Sequence, residues 1–206
     1  NWIDTTKYKK KKIDKKHKTI LKRKIFKLMY IGNIGYSQDF HGIIRILKVL
    51  KEKNILIHFI VVGEGRDKIN ILKEVRKLNL QNHLYFFGRV KKEFIKNYAT
   101  YSDMLFLSLR KNKLFNVTIP AKLQTYLSLN KPIFGLISGE TANLITSLKC
   151  GVSVNCGDYK NATKKIVKIL KNKRILKNFS HKKTNKIKNR FEYKKIIIDL
   201  NRFIDQ

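Results

Sequence analysis

The chain has 206 residues, 43% of them hydrophobic, which suits one domain with tails and excludes a chain too short or too polar to bury a core. Its 47 Lys and Arg against 14 Asp and Glu leave a formal net charge of +33, so any polyanion is attracted to it, nucleic acid and anionic membrane alike. Lys, Ile and Asn are abundant along the whole chain, as an AT-rich genome would encode, and the charge by itself selects no mechanism.

Residues 1–24 carry Lys9-Lys10-Lys11-Lys12, Lys15-Lys16 and Lys22-Arg23-Lys24 with few apolar positions, and are expected to be a solvated basic linker or hinge. The chain opens at Asn1, without the apolar core of a signal peptide, as a fragment would. From Phe26 the pattern becomes regular. Phe26 to Ile31 is a short apolar run closed by Gly32, the signature of a buried strand, and His41 to Lys53 follows with helical spacing. The unit recurs: strand Ile55 to Val62, helix Lys68 to Leu78, strand His83 to Phe87, helix Lys92 to Tyr101, strand Met104 to Leu109. Residues 110–117 lack periodicity and read as a loop. A helix from Ile119 to Leu129, a strand Pro132 to Ile137, a helix Thr141 to Leu148, a strand Val152 to Asn155 and a helix Asn161 to Leu170 close the series. Residues 171–206 are lysine-rich and end in an apolar stripe, Phe191, Ile196, Ile197, Leu200 and Phe203, expected to be a C-terminal helix.

Strands that alternate with helices and are apolar throughout are buried on both faces, which requires a parallel sheet covered by helices. The expected fold is therefore α/β, a doubly wound, Rossmann-like parallel sheet in one domain over residues 25–170. Ligands of such sheets bind outside the carboxyl ends of the strands, so the loops after Ile31, Val62, Phe87, Leu109 and Ile137 are where chemistry belongs.

Those loops offer several features. Gly32-Asn33-Ile34-Gly35, with Gln38 at the helix entrance, permits either a plain tight turn or one whose amides approach a phosphate. Gly63-Glu64-Gly65 lacks the third glycine of a dinucleotide fingerprint, position 68 being Lys, and reads as a turn. Gly88-Arg89-Val90 offers a planar cation able to stack on a base. Thr118 reads as a helix cap, with Ile119 and Pro120 in the first turn, whose free amides and dipole form a site for an anion such as a diphosphate; Lys122 lies one turn in. Glu140, after Gly139, either stabilises a helix N-terminus or contacts a ligand. The five histidines are scattered, no acid stands with them in a relay, and no catalytic residue is assigned. Cys150 and Cys156 form no CxxC and have no histidine pair nearby, so no metal site is expected, and two thiols in a chain this long suggest a reducing, cytoplasmic setting.

The string Thr118-Ile-Pro-Ala-Lys-Leu-Gln-x-Tyr-Leu-x-x-x-Lys-Pro-Ile133, with Gly32 to Gln38, Gly63 to Gly65, Gly88 to Val90 and Gly139-Glu140 in matching order, resembles the donor domain of bacterial family 4 glycosyltransferases, most of all the amino-sugar branch of surface-polysaccharide synthesis. The resemblance implies the C-terminal half of a two-domain GT-B enzyme that transfers a sugar with retention and without a metal or other cofactor. It implies a UDP-sugar as donor, with uracil at Gly88 to Val90. The acceptor would be a lipid-linked sugar or other saccharide at the inner face of the plasma membrane, and the N-terminal domain would complete the site, in this or another chain. Four positions depart from many members of the family. Asn33 and Gln38 stand where many members have Arg and Lys, Val117 stands at the first of two usual glutamates, and Thr125 at the second, which holds the ribose hydroxyls. Thr accepts hydroxyl hydrogen bonds more weakly than a carboxylate, so weaker donor binding is expected. Two other readings are open: a non-catalytic basic module binding nucleic acid or anionic membrane, and a degenerate remnant of such an enzyme.

Overall fold

The computed structural model describes residues 13–179, 197–198 and 201–202. Half of the expected basic linker, residues 1–12, and most of the expected C-terminal helices thus lie outside the described residues.

Six strands form one sheet: β1 (Lys27–Ile31), β2 (His58–Val62), β3 (Leu84–Phe86), β4 (Met104–Ser108), β5 (Ile133–Leu136) and β6 (Gly151–Val154). Their order is β3-β2-β1-β4-β5-β6 and every pairing is parallel. The chain builds outward from β1 in one direction, then returns to start the other half at β4. A crevice must therefore open between β1 and β4, where the crossovers leave on opposite sides. Every residue of β1, β2, β4 and β5 is buried, which explains why these strands read as unbroken apolar runs.

Helices cover both faces. On one, α2 (Phe40–Glu52), α3 (Lys68–Lys77) and α8 (Tyr159–Lys171) bury Ile43, Ile44, Leu47, Ile71, Val75 and Ile166 against Leu28, Tyr30, Phe59 and Phe106. On the other, α1 (Lys15–Lys22), α4 (Ile95–Ala99), α6 (Ala121–Ser128) and α7 (Glu140–Ser147) bury Leu21, Tyr98, Tyr126 and Ile145 against Met29, Ile60 and Leu105. A short helix, α5 (Lys113–Val117), lies at the rim.

The elements differ from expectation in four places. Within the expected linker, α1 is a helix capped by Asp14, whose carboxylate accepts from Lys16 N at 2.8 Å. Its stripe of Ile13, His17, Ile20 and Leu21 was masked by lysines, yet Leu21 is buried and the His17 ring stacks on Phe87 at 4.0 Å. The expected loop before Thr118 contains α5, started by Asn112, which accepts from Leu114 N at 2.9 Å. The expected helix over Lys92 to Tyr101 is a 3-10 turn, Lys92–Phe94, followed by α4. Finally, α6 begins at Ala121, so Pro120 is its cap and lies outside the first turn. Thr118 is extended, closes the C-terminal end of α5 and does not cap α6; its carbonyl accepts from Thr141 Oγ1 at 3.1 Å. A residue before proline is pushed out of the α region, so the helix could not start at Ile119.

Candidate functional site

The loop after β1 is held by its neighbour. Gly32 N donates to Val62 O at 3.0 Å and Ile34 N to Glu64 O at 2.9 Å, so the two loops run side by side like an extension of the sheet. A Cβ on Gly63 would lie 1.9 Å from Gly32 O, and one on Gly65 1.9 Å from Ile34 O. The motif that fails as a dinucleotide fingerprint is thus needed for backbone contact: these glycines let the second loop brace the first.

The rest of the loop is bonded within itself. Gln38 Oε1 accepts from Gly35 N at 2.9 Å, closing a 3-10 turn over Tyr36–Gln38, and Asp39 follows in the left-handed region with φ 48° as the cap of α2. Ser108 Oγ donates to Gln38 O at 2.5 Å and Arg110 N to Ser37 O at 2.9 Å, which tie this loop to the end of β4 across the crevice. In this arrangement Gln38 shapes the turn; its amide oxygen is already in use.

Two tyrosines fix the crevice from below. Tyr126, fully buried on α6, accepts from Ile31 N at 2.8 Å and donates to Phe106 O at 3.0 Å. One hydroxyl thereby joins α6 to β1 and β4 at the point where the sheet order reverses, and burial holds its pKa well above the usual phenol value. Tyr30, also fully buried, donates to Asn33 O at 2.5 Å. Lys122 Nζ donates to the Tyr30 hydroxyl and sits over its ring, 3.8 Å from the centroid. Gly32 makes this possible, because a Cβ there would lie 2.8 Å from Lys122 Cε. Among the described residues no carboxylate pairs with Lys122, and burial brings its amine from 10.5 down to about 7. A cation held without a counter-ion at a crevice is the electrostatic form of an anion site.

Two pockets lie in the loops after the first three strands, the first bordered by Gly32, which Lys122 touches. A cleft of about 180 Å³ brings Gly32 and Asn33 together with Arg89, Val90 and Glu64. A broader one of about 730 Å³ runs from Asn33, Ile34, Gly35 and Gln38 to Arg66 and Asn70. Arg89 is exposed at the rim, free to lie over a planar group, while Gly88 takes φ 71° and passes close to Glu64, whose carboxylate holds Lys68 at 2.6 Å. Across the crevice, Gly139 at φ 72° caps α7 and approaches Asn116 so closely that a Cβ would lie 2.0 Å from Asn116 O. That contact and the Thr141–Thr118 bond bring Gly139, Glu140, Thr118, Ile119 and Pro120 into one cluster at the start of α6. Glu140 is exposed in the first turn of α7. Thr125 Oγ1 donates to Ala121 O at 3.4 Å, the usual back-bond of a helical threonine.

Most of the expected site residues fall in two groups at the carboxyl end of the sheet, the loops after β1, β2 and β3 and the cluster at the start of α6, and Lys122 reaches from the second to Gly32; Thr125 is drawn into neither. Sequence reasoning missed Tyr30, Tyr126, Ser108 and Glu64. The signal for Tyr30 was present: a polar-tipped residue one place from the carboxyl end of a buried strand.

A parallel α/β sheet whose strand order reverses between β1 and β4, with the glycine loops, Lys122 and Arg89 at the carboxyl ends of its strands, has the architecture of the Rossmann-like class. The glycosyl transferases group 1 family matches residues 9–190, and the chain belongs to that family. It is 21% identical over 145 residues to the 2-deoxystreptamine N-acetyl-D-glucosaminyltransferase of Niallia circulans, covering 70% of this chain and 36% of that protein. It is 30% identical over 121 residues to an uncharacterized glycosyltransferase of Methanocaldococcus jannaschii, covering 59% of this chain and 28% of that one. The chain thus spans about a third of the length of these curated relatives. Among solved structures, Anabaena HepE in complex with UDP superposes with TM-score 0.78 at 14% identity, over 100% of this chain and 56% of that one. The C-terminal domain of a group 1 glycosyl transferase, LpcC of Francisella tularensis, superposes with TM-score 0.68 at 14% identity, over 93% of this chain and 99% of that domain.

Proposed function

We propose that the chain is the nucleotide-sugar-binding half of a retaining glycosyltransferase of surface-polysaccharide or glycoconjugate synthesis, with a UDP-sugar as donor. The observation that carries this reading is Lys122, half-buried and without a carboxylate partner among the described residues, at the crevice between β1 and β4, where the glycine loops and the start of α6 meet. The diphosphate lies there, with the first amides of α6 and the charged amine stabilising the negative charge that develops on the leaving group. Such preorganised electrostatics needs no titrating base on this half and no bound metal. The base stacks by Arg89 in the cleft with Gly32 and Asn33, and the ribose meets Thr125, which holds it less firmly than a carboxylate would.

The acceptor, a lipid-linked or other saccharide at the cytoplasmic membrane face, and any group that assists its hydroxyl belong to an N-terminal domain. Exposed apolar side chains support a facing domain: Leu114 and Val117 on α5 are 64% and 71% exposed, and Ile119 beside them is 38% exposed, all on the crevice rim. The chain by itself is accordingly expected to bind donor and not to transfer sugar.

A thermal-shift titration of the purified chain with UDP, GDP, ADP and pyrophosphate, at low and physiological salt, tests this. A ligand at about 100 times its dissociation constant stabilises by about 2.7 kcal/mol, enough to read. A UDP-selective shift that survives salt is expected. Equal shifts that vanish with salt would mean that only net charge binds, as a basic module with no base recognition requires.

A further inference from the structure

We propose that the outer face of α8 is a docking surface for an anionic lipid bilayer. Lys160, Lys164, Lys165, Lys168 and Lys171 are all exposed, whereas Ala162, Thr163, Ile166 and Ile169 are buried against the sheet. Helical spacing collects the five ammonium groups on one side. The 3-10 turn that follows, Lys173–Asn178, continues the surface with exposed Lys173, Arg174 and Lys177. On the neighbouring α2, Arg45 reaches across to the Tyr159 ring at the start of α8, 5.5 Å from its centroid. The acid nearest these lysines, Asp158, is occupied as the helix cap, accepting from Asn161 N at 3.0 Å and Asn161 Nδ2 at 2.6 Å.

Lysine is not spread evenly over the helices. On the opposite layer α6 and α7 carry only Lys122 and Glu140 as charged residues, while α1 carries Lys15, Lys16, Lys18 and Lys22 and so serves as the control for bulk charge. The basic surface is a property of particular elements.

Its chemistry favours lipid over nucleic acid. The cations of α8 are all lysine, compact point charges suited to a diffuse anionic surface and lacking the planar fork that reads phosphate and base edges. Single-strand binding also needs aromatic platforms, and among the described residues the exposed aromatic, Tyr36, stands at the donor crevice. The exposed large side chains of this helical layer are aliphatic, Val49 on α2 and Ile69 on α3, as an acyl boundary accepts. Between the end of β6 and α8 lies a hollow of about 430 Å³, bordered by Asn155, Asn161, Lys164, Lys165 and Lys168 and by Asp158, whose carboxylate is engaged by Asn161, of a size to admit a phosphate headgroup. The surface deepens the reading of a membrane-face acceptor, because it supplies the contact that would hold the domain at that plane.

The test is sedimentation of the full chain with vesicles of phosphatidylcholine, with and without phosphatidylglycerol, at physiological salt. A Lys164→Gln, Lys165→Gln, Lys168→Gln variant is compared with a variant of equal net charge, Lys15→Gln, Lys16→Gln, Lys18→Gln, on α1. The wild type binds only the anionic vesicles, the α8 variant loses on the order of 100-fold in partitioning, and the α1 variant less than about tenfold. Equal losses in the two variants would overturn the proposal in favour of net charge. Failure to bind anionic vesicles, with α8-dependent binding of a single-stranded oligonucleotide, would overturn it in favour of nucleic acid. The UDP thermal shift of both variants is read in parallel: its loss in wild type and variants alike sinks the donor reading, whereas its survival with unaltered vesicle binding sinks only this surface.

Discussion

The two walls of the crevice are built differently. The wall formed by the loops after β1, β2 and β3 is braced by backbone hydrogen bonds, glycines at contact distance and a buried tyrosine beneath it. The opposite wall, α5 and the residues leading into α6, is fastened by the Thr141–Thr118 bond, the approach of Gly139 to Asn116 and the packing of Phe115, and leaves Leu114 and Val117 mostly in solvent. A preformed wall has no ordering entropy left to lose when a rigid anion binds, which suits the nucleotide. The open wall is finished only when something apolar covers it, which suits the second domain.

The braced wall is the place for the largest effect. Gly63→Ala drives a methyl into Gly32 O, a backbone atom that cannot turn aside, and should cost about 3 kcal/mol of stability and abolish the UDP shift. Urea unfolding measures the first and the thermal titration the second; a loss below about 0.5 kcal/mol would mean that the loops are not in contact. Tyr126→Phe removes one oxygen but strands two buried groups, Ile31 N and Phe106 O, and should cost about 2 kcal/mol. Donor affinity should fall with it, because α6 is no longer anchored at the crevice.

How far all this was legible in the sequence follows from what each feature depends on. The strands were legible because burial on both faces writes an unbroken apolar run, as in Leu28 to Ile31 and Phe59 to Val62. α1 was hidden because its buried side, Ile13, His17, Ile20 and Leu21, is diluted by lysines and anchored on Phe87, distant in sequence. The start of α6 was misplaced because proline suits both the cap and the first turn, and the choice depends on its neighbours. Gly32, Lys122 and Gly139 were legible as isolated motifs. Their mutual contacts were not, since nothing local says that Lys122 lies across Gly32 or that Gly139 meets Asn116.

Lys122 lies between the walls and ties a binding gain to a stability cost. Its amine titrates near 10.5 when the chain is unfolded and near 7 when folded, so the unfolded chain binds the proton more tightly. Stability on this account rises with pH from about 7 to 10.5 and is reduced below that window. Lys122→Met should flatten this slope in the difference between wild type and variant, raise stability at neutral pH by roughly 1 kcal/mol and abolish the UDP shift. Because a diphosphate selects the protonated amine, wild-type affinity for UDP should weaken as pH rises through about 7. A pH-independent affinity would remove Lys122 from the anion site.

The smallest effect on the isolated chain is expected on the open wall. Val117→Asn and Leu114→Ser replace side chains that already face water, so each should change stability by less than about 0.5 kcal/mol and leave the UDP shift in place. The pair gains its meaning in a test of this chain together with the proposed N-terminal half. If the open wall is a domain face, the double variant should weaken association of the halves, or transfer by the joined enzyme, by about tenfold or more, since burying two such aliphatic side chains is worth roughly 1.5–3 kcal/mol each. If association is unchanged, the apolar rim is ordinary exposed surface and the second domain must approach elsewhere. Either result leaves the braced wall untouched, so the donor half of the site can stand or fall separately from the half that completes it.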